Sequence, residues 1–381
     1  MTLRTVLIIT LSFHTMVSIT RPLIALYASS LGANTFEIGL LTAAFAFFPL
    51  IFAIHAGKIS DQMGDRIPIL WGSIGCTVGL TLPFFSPTMS MLYASQIIVG
   101  MSHLVLAVSL QNVLGHVSTK ETRDHYFNIF SMFVAMGAFI GPIIGGYLAE
   151  HLSYALAFLI AALLGIVPIA FSFFVPLIRV QKMKGEAALG SPLTLLKLPL
   201  LRKALASSAL VLYSKDIFVA YFPLLGQHFG LTASEIGWII AIQGLSMMAV
   251  RLFLGRLTHK YGRNLVLLGS ILIAGISFIL VPIVGHVYLF GLLSSIMGIG
   301  LGCGQPLSMT TTYNASPKTR TGEILGLRLA SNRLSQLVAP LIFGVIGSWG
   351  GLLTVFYMSG LFLIGGAFLT RSNSKDDVIA S

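Results

Sequence analysis

Charge is what this chain has least of. Asp, Glu, Lys and Arg together make up 9% of its 381 residues, against roughly a quarter in a soluble domain. That shortage excludes a cytosolic enzyme, a nucleic-acid binder and a disordered scaffold. Cysteine is nearly absent too. The two present, Cys76 and Cys303, fall in apolar stretches where a small buried thiol is the ordinary reading, so neither a disulfide framework nor a zinc site is indicated. The carboxylates are dispersed rather than paired for catalysis, no Cys/His spacing suits a metal, and no phosphate-binding glycine loop ends in Lys-Ser/Thr. The expectation is a non-enzyme without cofactor or resident metal. Behind Arg4 an apolar run continues past Thr20 without a small-residue cleavage pattern, which reads as an uncleaved first span.

Apolar sequence is abundant: 56% of the residues are hydrophobic and the mean hydropathy is +0.91. A membrane span needs about 20 mainly apolar residues, and twelve such stretches can be placed. They lie near 5–28, 37–57, 67–86, 89–112, 126–150, 153–178, 204–229, 233–254, 265–284, 286–312, 324–347 and 351–370. Twelve spans use roughly 240 residues and leave no room for a sizeable soluble domain. The formal charge of +11 is then a matter of position, because cytoplasmic connections collect Lys and Arg. Alternate connections hold Lys58 and Arg66, Lys120 and Arg123, the group from Arg179 to Lys203, Arg256 to Arg263, and Lys318 with Arg320. The intervening ones, around Gly32, Pro87, His151, Gly230, Gly285 and Trp349, contain no Lys or Arg. Both termini are therefore expected on the cytoplasmic side.

The chain also repeats itself. With an offset of 198, LGANTFEIG (Leu31 to Gly39) lies over FGLTASEIG (Phe229 to Gly237), and the same offset pairs Gly57 with Gly255, Gly64 with Gly262, Pro142 with Pro340 and Gly146 with Gly344. The expected organisation is an all-α membrane protein of two six-helix bundles. Residues 1–178 form the first and 204–370 the second, with a cytoplasmic linker at 179–203 and a cytoplasmic tail at 371–381. Two parallel repeats of six spans place a substrate site near the midplane between them.

Two segments carry a resemblance. The connection GKISDQMGDR, Gly57 to Arg66, resembles the loop motif of the major facilitator superfamily, Gly-x-x-x-Asp-x-x-Gly-Arg-Lys/Arg. It matches at Gly57, Asp61 and Gly64. Asp65 replaces the first basic residue, leaving Arg66 alone, and the second copy has His259 at the acidic position. The resemblance implies that Asp61 latches the cytoplasmic side closed, with Arg123 as one partner. The fifth span contains GAFIGPIIGG, in which Gly137, Gly141, Pro142, Gly145 and Gly146 resemble the superfamily's antiporter motif. An additional family glycine is Asn128 here. The motif is associated with drug and metabolite exporters, so the resemblance implies export over uptake. Independently of function, glycines one helical turn apart admit a close neighbouring backbone and Pro142 removes a helix hydrogen bond. In the fourth span the family's proton-linked arginine is Gln96, four residues before Gly100; an amide cannot carry that charge.

Ionisable groups at membrane depth cost about 2.5 kcal/mol or more and mark functional candidates. Asp216 is the one deep acid, roughly 18 Å along the seventh span at 1.5 Å per residue. It reads either as a proton-exchanging carboxylate or as a structural partner of an intramembrane arginine. His14 and His103 are its substitutes, since imidazole titrates near neutrality, or are hydrogen-bonded interior residues. Arg333 lies about 15 Å into the eleventh span, whereas Arg328 is near enough to the cytosol to snorkel. Arg21 reads as snorkelling to the outer headgroups or as facing a cavity, and His14, Ser18 and Arg21 recur on one helical face. Gln96, Gln243, Gln305 and Asn332 complete the candidate cavity groups, with helix-packing glue as the plainer reading.

The expected function is secondary transport by alternating access: proton-coupled efflux of a small organic solute, anionic or zwitterionic because Arg21, Lys215 and Arg333 outnumber Asp216. The alternatives are proton-linked uptake of a metabolite, multidrug export of lipophilic cations, and a non-transporting receptor or assembly factor. The expected setting is the bacterial inner membrane, as a monomer, with solute, protons and lipid as partners and no nucleic acid.

Overall fold

The computed structural model describes residues 2–119, 122–176, 199–314 and 321–369, and these are helical almost throughout. The helices in chain order are α1 (Thr2–Ser30), α2 (Thr35–Met63), α3 (Arg66–Phe85), α4 (Met89–Val117), α5 (Arg123–His151), α6 (Tyr154–Leu164) and α7 (Ile166–Ser172). Then come α8 (Pro199–His228), α9 (Ala233–Tyr261), α10 (Arg263–Leu280), α11 (Val287–Asn314), α12 (Thr321–Gly350) and α13 (Leu352–Leu369). Among the described residues eleven segments are long and apolar enough to cross a membrane, with α6 and α7 counted as one, and the apolar Leu352–Phe368 is a shorter twelfth. With no water in the bilayer core, every backbone N–H and C=O must be satisfied inside its own helix, which is why apolar runs of this length resolve into helices and nothing else.

Polar residues set the ends. Asn34 and Glu37 form a reciprocal capping box that starts α2, and Thr232 with Glu235 does the same for α9. Gly64 ends α2 with φ of 77° and Gly262 ends α9 with φ of 80°, a region open to glycine and strained for other residues. Several helices outrun their apolar stretches: α2 continues to Met63, α4 to Val117 and α9 to Tyr261. Hydropathy marks where lipid lies, while the hydrogen-bond ladder continues until a cap or glycine stops it.

The chain folds as two compact units, Met1–Met183 with Phe222–Ala241, and Lys184–Tyr221 with Ile242–Ser381, so α8 and α9 each contribute to both. In the first unit α1 packs along α5, and α4 lies against α2 and α3. The Tyr27 hydroxyl ties α1 to α3 by donating to the Pro83 carbonyl at 3.1 Å. In the second, α10 packs between α11 and α13, and the hydroxyls of Tyr213 and Tyr221 donate to the Ser359 and Pro340 carbonyls. Large apolar residues such as Trp71, Phe85 and Leu252 stand well exposed, as expected where the solvent is lipid.

Candidate functional site

Polar side chains inside the helices gather in three places. In the first unit, α1 presents His14, Ser18 and Arg21 as half-buried residues along a helix otherwise largely buried. The rings of His14 and His103 stand 5.8 Å apart, nearly perpendicular, with Phe13 5.1 and 5.2 Å from them. Phe45 closes on His103 at 5.5 Å, and the Arg21 guanidinium sits 4.5 Å above the Phe45 ring. An aromatic face attracts a cation by its quadrupole, so Arg21 turns into the bundle. Sequence periodicity placed His14 and Arg21 on one face but carried no sign of Phe45, which bridges Arg21 to His103 from α2. Gln96, two turns before His103, is buried.

The α5 glycines explain how α1 comes so near. A methyl group at Gly137 would lie 2.7 Å from the His14 Cβ, one at Gly141 would strike Ser18, and one at Gly145 the Ile19 carbonyl. Gly146 and Pro142 face a different helix: Gly146 abuts the Ala233 carbonyl and Gly237 the Pro142 carbonyl. Beyond them a Glu150 carboxylate oxygen accepts from the Ser234 N–H at 3.0 Å, at the start of α9. A cavity of about 320 Å³ on this seam is lined by Ile143, Ile144, Tyr147, Leu148, Ser234 and Trp238. Its walls are mainly apolar and among the named lining residues none carries a charge.

In the second unit Asp216 and Arg333 are joined indirectly. Gln336, one turn beyond Arg333, donates from Nε2 to Asp216 Oδ2 at 2.7 Å, while its Oε1 accepts from Arg333 Nη1 at 3.0 Å. The amide orients carboxylate and guanidinium at once. A second knot lies around Ser208, whose hydroxyl donates to Asn332 Oδ1 at 2.8 Å and lies 3.3 Å from Gln305 Oε1. Gln305 donates from Nε2 to the Ser208 carbonyl at 2.9 Å. Arg328 was expected to snorkel outward; instead its Nη2 donates to Gln305 Oε1 at 2.6 Å. An acceptor fixed within reach inside the bundle outcompetes the longer path to the headgroups. Gln243 joins neither group and meets the Met297 sulfur at 3.1 Å.

Among the loop-motif residues, Gly64 and Arg66 are described, whereas the side chains of Asp61 and Arg123 and the surroundings of Gly57 lie outside the described residues. The departure from the motif has a local partner: Asp65, 1% exposed, lies with Oδ2 3.3 Å from His116 Nδ1 at the end of α4. Gln336 and His116 escaped the sequence reading, and Arg328 was read only as snorkelling. Gln336 was visible as an amide one turn from Arg333; His116 had no signal in spacing. Among the described residues no three His, Cys, Asp or Glu are grouped as metal ligands.

The chain is 25% identical over 351 residues to an uncharacterized MFS-type transporter of Methanocaldococcus jannaschii, covering 90% of each chain. It is 23% identical over 359 residues to a multi-drug resistance efflux pump PmrA homolog of Lactococcus lactis, covering 91% of this chain and 88% of the relative. The solved structure of a nucleoside transporter superposes with a TM-score of 0.83 at 13% identity, covering 97% of this chain and 99% of that one. The helices and their order are thus those of a multi-pass transporter fold. The family model of the Major Facilitator Superfamily matches residues 6–214 and 204–378, and the chain belongs to that superfamily.

Proposed function

We propose that the protein is a proton-coupled exporter of a small organic solute, anionic or zwitterionic, working by alternating access between two six-helix bundles at 1–178 and 204–370. The observation that carries this reading is the buried Asp216, 7% exposed and held through Gln336 toward Arg333. The amide holds the carboxylate and the guanidinium toward one another inside the bundle, and a guanidinium so placed can meet an anionic solute through two parallel hydrogen bonds. Export is supported by the α5 glycine motif and by the relative named an efflux pump. The surplus of Arg and Lys in alternate connections supports both termini, the 179–203 linker and the 371–381 tail on the cytoplasmic side, and the reading sets a monomer in a bacterial inner membrane.

A second reading, export of lipophilic cations, is favoured by the similarity to a multi-drug resistance efflux pump homolog and by the aromatic cluster of Phe13 and Phe45. Proteoliposomes with an imposed pH gradient test the proposal. Gradient-driven movement of an anionic or zwitterionic solute, lost in Asp216→Asn, is expected. Coupling that survives in Asp216→Asn removes this residue from the mechanism and shifts attention to His14 and His103. Movement restricted to cationic dyes selects the second reading.

A further inference from the structure

The knot around Ser208 contains an arginine whose surroundings differ from those of Arg333. Arg328 directs Nη2 to the side-chain oxygen of Gln305 at 2.6 Å, with the Gln305 carbonyl at 3.4 Å. Gln305 cannot swivel freely, because its Nε2 is committed to the Ser208 carbonyl, and Ser208 is in turn held by Asn332. The acceptor that turns Arg328 inward is therefore itself pinned from α8 and α12. It sits about 13 Å back from the end of α11, at 1.5 Å per residue.

Arg333 is linked through Gln336 to a carboxylate. Among the described residues no carboxylate lies within ion-pair distance of Arg328. Its Nε is shut off from the surface and meets no acceptor among those residues, and Nη1 makes no bond to them either. Arginine does not shed its charge in a protein. A buried donor without an acceptor is destabilising, and a turn of the side chain that brings Nε and Nη1 against an arriving oxyanion relieves it. A purely structural tie between α11 and α12 needs the bond to Gln305 and gains nothing from a charge with idle donors.

We propose that Arg328 binds the anionic group of the solute, a carboxylate or phosphate, with Gln305, Ser208 and Asn332 as positioning residues. The inference rests on the anionic-solute reading above. Its test is binding by the full chain in nanodiscs of zwitterionic lipid, followed as the thermal midpoint of tryptophan fluorescence. Sodium benzoate and inorganic phosphate are the probes, against chloride at equal ionic strength. At least one probe is expected to raise the midpoint of the wild type. Arg328→Lys, which keeps charge and loses the planar fork, is expected to need roughly tenfold more anion, and Arg328→Gln to show no response. A wild type indifferent to both anions, or an Arg328→Gln response equal to wild type, overturns the proposal. If Arg328→Gln does not fold, an unchanged concentration dependence in Arg328→Lys overturns it. Discs with anionic lipid separate solute from headgroup: a midpoint already raised by the lipid, to which benzoate and phosphate add nothing, assigns the site to lipid and overturns the solute reading. Proteoliposomes separate this inference from the one beneath it. An anion response at Arg328 without solute exchange keeps the site and defeats transport, and exchange without an anion response does the reverse.

Discussion

Gln336 shows how much one neutral side chain can organise. It donates to Asp216 and accepts from Arg333, so its amide meets a charge of each sign with the end that suits it. Gln336→Leu removes both bonds while keeping the volume similar. The expected result is a loss of about 1–3 kcal/mol of stability, read as a lowered melting midpoint in detergent. Gln336→Glu is expected to cost more, because a second carboxylate then faces Asp216. A Gln336→Leu protein that melts with the wild type would show the bridge to be ornamental. The charges themselves were legible from composition, since an acid and an arginine at depth stand out against 9% charged residues. The amide between them was not. Glutamines within spans are common enough as packing glue that only three-dimensional proximity distinguishes Gln336 from Gln243, which spends its own amide on a methionine sulfur.

At the scale of helices, glycine separates close seams from open faces. Lipid is as apolar as leucine, so helices associate through close packing and small residues rather than through expulsion of water. A methyl at Gly145 would run into the backbone of α1, whereas one at Gly269 in α10 would meet nothing within 4 Å. Gly145→Ala is therefore expected to lower the melting midpoint by the equivalent of about 1–3 kcal/mol. Gly269→Ala is expected to be neutral or to raise it by up to about 1 kcal/mol. Equal effects would mean that α5 and α1 can part without penalty. The same contrast explains what sequence could and could not convey. GAFIGPIIGG announced that some backbone approaches α5, but not that its glycines divide between two neighbours, with Gly137, Gly141 and Gly145 on α1 and Gly146 on α9. Helix positions, by contrast, were plain in the apolar runs, because a bilayer leaves an apolar segment of that length one way to satisfy its backbone.

For the whole molecule, the offset of 198 reaches beyond residue identity into conformation. Gly32 and Gly230 share positive φ values of 87° and 77°, and Gly64 and Gly262 share 77° and 80°. A topology with both termini cytoplasmic predicts that a cysteine replacing Lys184, with Cys76 and Cys303 removed, resists an impermeant thiol reagent in intact cells. One replacing Gly285 is expected to react. The opposite pattern would invert the arrangement. Chemistry has drifted where geometry has not. Glu150 reaches across to the first turn of α9 through an exposed hydrogen bond, worth about 1 kcal/mol or less where water screens it. Its counterpart 198 residues on is Ser348, whose hydroxyl returns to Val345 of its own helix at 2.8 Å. Duplication has thus left a fastener on one copy and a blank on the other. Two stretches that share a backbone need not share a bond: one copy of the helix is tied to a neighbour, the other only to itself.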